Sequence, residues 1–244
     1  MAFKSEFMKV FKEGLEPYGF RRMKGTDFFG KLVNNEILLY ISYKPCSAIN
    51  RGMKAFDIIS GGQTVYSYEL SAHQLQLAAR TLNKFTRNDT FARANIGFEY
   101  NDSNCNSVIE DALEQTIKFA VPALQDITDL RSCIDFLTVY LMGSLYPADK
   151  IYRDSVLLII ANDHESFDSK LNLGKKYLYQ YYKGDLTSVD YQSSLGSCET
   201  VTHKLIDSRD RVWASKELQD KVFSEAERRA ETNKAVLREY GFEI

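Results

Sequence analysis

Histidine is scarce in this chain, and its scarcity removes many familiar catalytic and metal-binding arrangements at once. Only His73, His164 and His203 occur, and none stands at the spacing of a zinc site or a catalytic triad. The four cysteines, Cys46, Cys105, Cys133 and Cys198, lie far apart and form no CxxC pair. They read as free thiols, without a disulfide framework or a metal cluster. GxSxG, HExxH, P-loop and GxGxxG patterns are all missing. Long apolar runs are missing too: Val156 to Ala161 is the longest, far short of a membrane span. Lys4, Glu6, Lys9, Lys12 and Glu13 break up the first turns, so no signal peptide is expected there. Neither charge predominates. The formal net charge is −2, spread evenly along the chain, which leaves no basic arm for nucleic acid or an anionic membrane. The expectation is a soluble cytoplasmic protein with no cofactor, no metal and no membrane partner.

What the chain does have is a helix followed by a hairpin. Phe3, Phe7, Val10, Phe11 and Leu15 recur at helical spacing, with charged residues on the other faces. Pro17 and Gly19 end that helix. From Asp27 to Lys44 the period shortens to two. Phe29 and Val33 alternate with Phe28 and Leu32, and Ile37, Leu39, Ile41 and Tyr43 alternate with Leu38, Tyr40 and Ser42. Asn34 and Asn35 stand where a tight hairpin turn needs positive φ. Both sides of this hairpin are apolar, so the sheet needs two covers. One is expected from the N-terminal helix or its neighbours, the other from C-terminal helices or from a partner.

Phe56, Ile58 and Ile59 predict a third strand, ended by Gly61 and Gly62, with a fourth over Val65 to Tyr68. Ser71 and Gln74 form a capping box for a helix buried along Leu75, Ala78, Ala79, Leu82 and Phe85. A short strand is read at Phe98 to Tyr100. Ser107 and Glu110 repeat the capping signature for a helix running toward Pro122, and Asp129 caps another. Beyond Gly143 the pattern is helical, from Pro147 to Ala161, around Phe167 to Tyr181, and from Ser215 to Tyr240. In this last segment Leu218, Val222, Ala226, Ala230 and Leu237 form a narrow stripe. These elements predict an α+β fold, an antiparallel sheet of three to five strands covered by helices. A domain of residues 1–145 would carry the sheet, and residues 146–244 would form an all-helical region.

Candidate chemistry is thin. Asp163, His164, Glu165 and Asp168 are the densest cluster of potential ligands, but neighbouring residues on a helix point in different directions. A solvated helix start accounts for them. The stretch Lys175, Lys176, Tyr177, Leu178, Tyr179, Gln180, Tyr181, Tyr182, Lys183 interleaves aromatic rings with lysine. Stacked bases and neutralised phosphates would suit it, yet the acidic balance of the chain favours a protein partner. Lys175, Lys176, Tyr179, Tyr182 and Lys183 are the candidate binding residues. Arg21, Arg22 and Lys24 make a smaller basic patch, read as a solvated strand entry, and the Gly61–Gly62 pair is read as a turn rather than a phosphate cradle.

The order helix, then Tyr18-Gly19-Phe20-Arg21-Arg22, then Asp27-Phe28-Phe29 opening a hairpin, then Tyr40 to Lys44 and Phe56 to Gly61, resembles the bacterial domain of unknown function 4304. The resemblance covers about residues 3–70. It implies a small α+β domain, a bacterial cytoplasmic setting and an adaptor or immunity-like role, and it carries no catalytic residues. The leading expectation is a non-catalytic protein that binds another protein, or a second copy of itself, through a sheet face or the tyrosine-rich surface. A hydrolase or nuclease whose acidic residues converge in space, and a weak nucleic-acid binder, are the alternatives.

Overall fold

The computed structural model describes residues 3–66, 70–82, 97–133, 136 and 216–244. The chain gathers into two compact units, one of Met1–Tyr140 with Ala230–Ile244 and one of Leu141–Arg229. In the second, the described part is helical from 216 to 229.

The first unit is α+β. Helix α1 (Phe3–Leu15) ends in a 3-10 turn, Glu16–Tyr18, and Gly19 turns the chain at φ 83°. That value lies in the left-handed region that favours glycine. Strands β1 (Arg21–Arg22), β2 (Phe29–Val33), β3 (Ile37–Cys46) and β4 (Lys54–Thr64) follow. They pair as an antiparallel meander, with Phe29 opposite Ile41 and Ile41 opposite Ser60. The expected turn is present: Asn34 and Asn35 sit at φ 52° and 58°, and the Glu36 N–H donates to Val33 O at 3.0 Å. Two short strands share the far edge of β4. β5 (Arg80–Thr81) pairs with Ile59 and Ser60, and β6 (Phe98–Tyr100) pairs with Lys54 to Phe56. Six strands thus form one sheet among the described residues.

Both faces of the sheet are covered, as the two-sided apolar pattern requires. Every residue from Ile37 to Ser42 is buried. On one face Phe3 packs tilted against Phe56 and edge-on to Tyr43 at centroid distances of 4.8 and 5.1 Å, Phe7 lies 4.6 Å from Tyr43, and Phe11 meets Phe29. The opposite face carries Leu38, Tyr40 and Ile59. Leu75 from helix α2 (Ala72–Ala78) packs there with Ala230, Leu237 and Phe242 from the C-terminal end of the chain. Each leucine, isoleucine or phenylalanine among them contributes about 1.5–3 kcal/mol when fully buried. The second cover is therefore supplied by helix α5 (Lys216–Glu239), through its residues from Ala230 onward, and by Phe242 beyond it.

α5 ends in a Schellman motif. Gly241 takes φ 93°, its N–H donates to Arg238 O at 2.9 Å, and the Phe242 N–H donates to Leu237 O at 2.9 Å. This turn drops Phe242 onto the same core as Leu237, the hydrophobic contact typical of the motif. Asn233 occupies the middle of the buried stripe, 1% exposed. Its Nδ2 donates to Val65 O at 2.7 Å and its Oδ1 accepts from Leu70 N–H at 3.1 Å. One amide side chain thus satisfies the backbone on either side of residues 67–69.

Several local expectations are corrected. Gly61 and Gly62 do not end the third strand, because β4 continues to Thr64. Glycine is needed at 61 for packing: a Cβ there would lie 2.6 Å from Tyr40 Oη and 2.9 Å from Cζ. Of the fourth strand expected over Val65 to Tyr68, Val65 and Tyr66 form a turn, with the Val65 N–H bonded to Glu36 O at 2.7 Å, and residues 67 and 68 lie outside the described residues. The Ser71 cap forms as expected, accepting from the Gln74 N–H. α2 nevertheless stops at Ala78, because the chain turns to pair with β4 as β5. Helix α3 (Cys105–Gln115) starts from Asn104, and Ser107 lies inside it, bonding back to Asn104 O. Pro122 does not stop this helix. A π turn over Thr116–Ala120 absorbs it, with the Val121 N–H reaching back to Thr116 O, and α4 (Val121–Gln125) continues. Proline is tolerated there because the first turn after the π segment asks no N–H of it. Asp129 does cap the following turn, accepting from the Ser132 N–H at 2.8 Å.

Candidate functional site

The β3–β4 hairpin extends past the covered part of the sheet. Beyond Tyr43 the residues of β3 become half-buried or exposed, Lys44 and Pro45 being open, and Lys54 on the returning strand is open as well, while Ala55 and Phe56 there stay buried. The loop at its tip, residues 47–53, is closed by the Met53 N–H donating to Asn50 O at 3.2 Å. Gly52 stands at φ 83° in the third position of that turn, where glycine carries no steric cost.

β6 braces this loop. Because Glu99 pairs with Ala55, its carboxylate lies beside the tip. It accepts the N–H groups of Ile49 and Asn50, the latter at 3.1 Å, and the side-chain amide of Asn50. These donors favour the charged form. The backbone N–H of Asn50 first, then its side chain, hold the Glu99 carboxyl below the ordinary glutamate value. On the neighbouring strand end, the Asn101 amide donates to Met53 Sδ at 3.4 Å. Asn101 and Asn104 bond to each other's backbone, at 2.7 and 3.3 Å, and stiffen this floor. On the braced loop Ile49 points outward, 68% exposed, and it is the large apolar side chain left open among the described residues.

Toward the base of the hairpin, Lys44 pairs across the strands with Asp57. Burial raises the Asp57 carboxyl, and Lys44 opposes that shift. Cys46 is half-buried beside Asp57. Burial first, then the Asp57 charge, push its thiol above the usual range, against a backbone hydrogen bond from Gly97. A thiol held protonated in this way is a poor nucleophile and a poor metal ligand. Gly97 itself has no room for a side chain, since a Cβ would meet Cys46 Sγ and lie 2.7 Å from Phe56 O. Among the described residues, no group of three or more histidine, cysteine or carboxylate side chains is placed to hold a metal ion. What this end of the sheet can do chemically is present a fixed shape, one apolar side chain and mixed charge.

Lys175, Lys176, Tyr179, Tyr182 and Lys183 lie outside the described residues, as do Asp163, His164, Glu165, Asp168, Cys198 and His203. His73 is an exposed first-turn residue of α2. Arg21, Arg22 and Lys24 are all exposed, the first two on β1 at the edge of the sheet. The central sheet faces, expected as a recognition surface, are occupied by the chain's own helices. The tip loop was not singled out from the sequence, although its Asn-Arg-Gly order carries a turn signal. The grip of Glu99 on it joins residues far apart in the chain and has no local signature. No helix among the described residues is long and apolar enough to cross a membrane. No family model, curated protein or solved structure matches the chain.

Proposed function

We propose that this chain is a non-catalytic cytoplasmic protein that binds another protein through the tip of the β3–β4 hairpin. The observation that carries the reading is Ile49, held open to solvent on a loop whose backbone is fixed by Glu99. Ordering a loop before contact removes part of the entropy cost of binding, so a braced apolar side chain serves recognition better than a mobile one. The surrounding Lys44, Arg51, Lys54 and Glu99 would supply the polar rim around an apolar contact. An adaptor or immunity-like role, as the resemblance to the bacterial domain of unknown function 4304 implies, is one form such binding would take.

The test is site-specific photocrosslinking in the native host. A benzophenone amino acid at position 49 is expected to give a discrete adduct that is lost when Glu99→Ala releases the loop. The same probe at exposed Glu13 on α1 serves as the control. Identical adduct patterns from positions 49 and 13 would reject the hairpin tip as the binding surface.

A further inference from the structure

We propose that the outer edge of β1 receives an extended acidic segment of a partner protein, added as a short strand beside Arg21 and Arg22. Among the described residues β1 ends the sheet, with β2 as its neighbour on one side. The Met23 N–H donates to Phe28 O at 2.8 Å, which sets the phase of the ladder. In an antiparallel pair the hydrogen-bonded positions alternate. Arg21, two residues back and opposite Gly30, therefore turns its backbone toward β2, and Arg22 turns its N–H and C=O outward. An incoming strand has one residue with both backbone groups to pair with. Its neighbours are already engaged: the Phe20 N–H bonds Leu15 O at 3.3 Å and the Lys24 N–H bonds Tyr240 O at 3.0 Å.

The charge around that edge specifies the partner. Arg21, Arg22 and Lys24 are exposed, and no described carboxylate pairs with any of them. Register places Arg21 and Arg22 on opposite faces, so cations flank the edge on both sides. Arg21 is further fixed by its guanidinium lying 4.3 Å from the Phe242 ring centroid, and that ring is buried. Stacked guanidinium retains its hydrogen-bonding fork, which suits carboxylates. Basic side chains on an edge strand also discourage pairing with copies of the same edge, since like charges would meet. The selection thus runs against self-pairing and toward an acidic strand. Three cations on an edge this short, in a chain of net charge −2, fall short of the phosphate contacts that nucleic-acid binding draws on.

The test uses the full chain and a short fluorescein-labelled peptide alternating Glu and Thr. Fluorescence anisotropy is expected to show saturable binding that weakens with salt, at a peptide concentration below about 1 mM. Arg22→Glu, which leaves the Arg21–Phe242 contact in place, is expected to weaken binding about tenfold. The triple variant R21E/R22E/K24E should abolish it. A peptide N-methylated at its central residue should bind several-fold more weakly, because strand addition relies on main-chain hydrogen bonds. A Lys–Thr peptide should not bind. The proposal is overturned by absence of binding at about 1 mM, by equal affinity of Arg22→Glu and the natural chain, by indifference to N-methylation, or by a single-stranded oligonucleotide of equal charge binding more tightly than the peptide.

Discussion

Asn233→Ala isolates the device that ties the end of the chain to the sheet domain. The substitution removes a donor to Val65 O at 2.7 Å and an acceptor for the Leu70 N–H at 3.1 Å, at a site 1% exposed. Each backbone group left without a partner in such a place costs about 1–3 kcal/mol, so the pair amounts to about 2–6 kcal/mol. Alanine returns roughly 0.5 kcal/mol through its better helix propensity. The net loss is then about 1.5–5.5 kcal/mol, a large share of a typical domain's 5–15 kcal/mol or so. Amide hydrogen exchange at Leu38 to Ile41, in the covered part of β3, reads the opening of this unit directly. Those amides should exchange faster by the corresponding factor, about tenfold or more. Asn233→Asp sharpens the test. At neutral pH a carboxylate faces Val65 O and cannot donate, whereas the protonated acid can, so this variant should recover relative to the natural chain as pH falls. A loss under about 1 kcal/mol for Asn233→Ala, or no pH dependence of the Asn233→Asp deficit, would refute the view that this amide is a buried clamp.

Gly61→Ala should destabilise the sheet by about 1–3 kcal/mol through overpacking against the Tyr40 ring, measured by urea titration with an unchanged m-value. Glu99 has a depressed carboxyl, so its grip on the tip loop is complete above the ordinary glutamate value and is lost as pH falls through its lower folded value. The amide resonances of Ile49 and Asn50 should accordingly titrate below pH 4.5, and Glu99→Ala should abolish their exchange protection at neutral pH; a midpoint above 4.5 would contradict the hydrogen bonds. Cys46 and Cys105, both raised chiefly by burial, should alkylate more slowly than a simple peptide thiol at mildly alkaline pH, scored peptide by peptide in the mass spectrometer.

Much of the fold was legible because it is written in local periods. The switch from helical spacing in Phe3 to Leu15 to alternation in Phe29 to Tyr43 marks α1 and the hairpin, and the two asparagines mark its turn. Local composition misleads where glycine or proline sits inside an element instead of punctuating the chain. Gly61 and Gly62 have the composition of a turn but lie within a strand, since Tyr40 needs the space above one and Ile127, Leu39 and Cys133 approach the other. Pro122 has the composition of a stop, yet a π turn carries the helix past it. Asn233 had a signal in plain view, a polar residue inside the stripe of Ala226, Ala230 and Leu237. The candidate site was the least legible part, because Glu99 reaches Ile49 and Asn50 across a separation of about fifty residues that no local pattern encodes.

By itself the sequence determined that the hairpin must be buried on both sides, because alternation with apolar residues in both phases leaves no face for water. It did not determine what would do the covering. Tertiary structure decided that: Ala230, Leu237 and Phe242 return from the far end of the chain to close the face that carries Leu38 and Tyr40. The physical reason is that apolar burial is non-directional and any helix of suitable stripe would satisfy it. Choice among covers came from directional bonds, the Asn233 amide on Val65 and Leu70 and the Tyr240 carbonyl on Lys24, whose partners only the folded chain brings together.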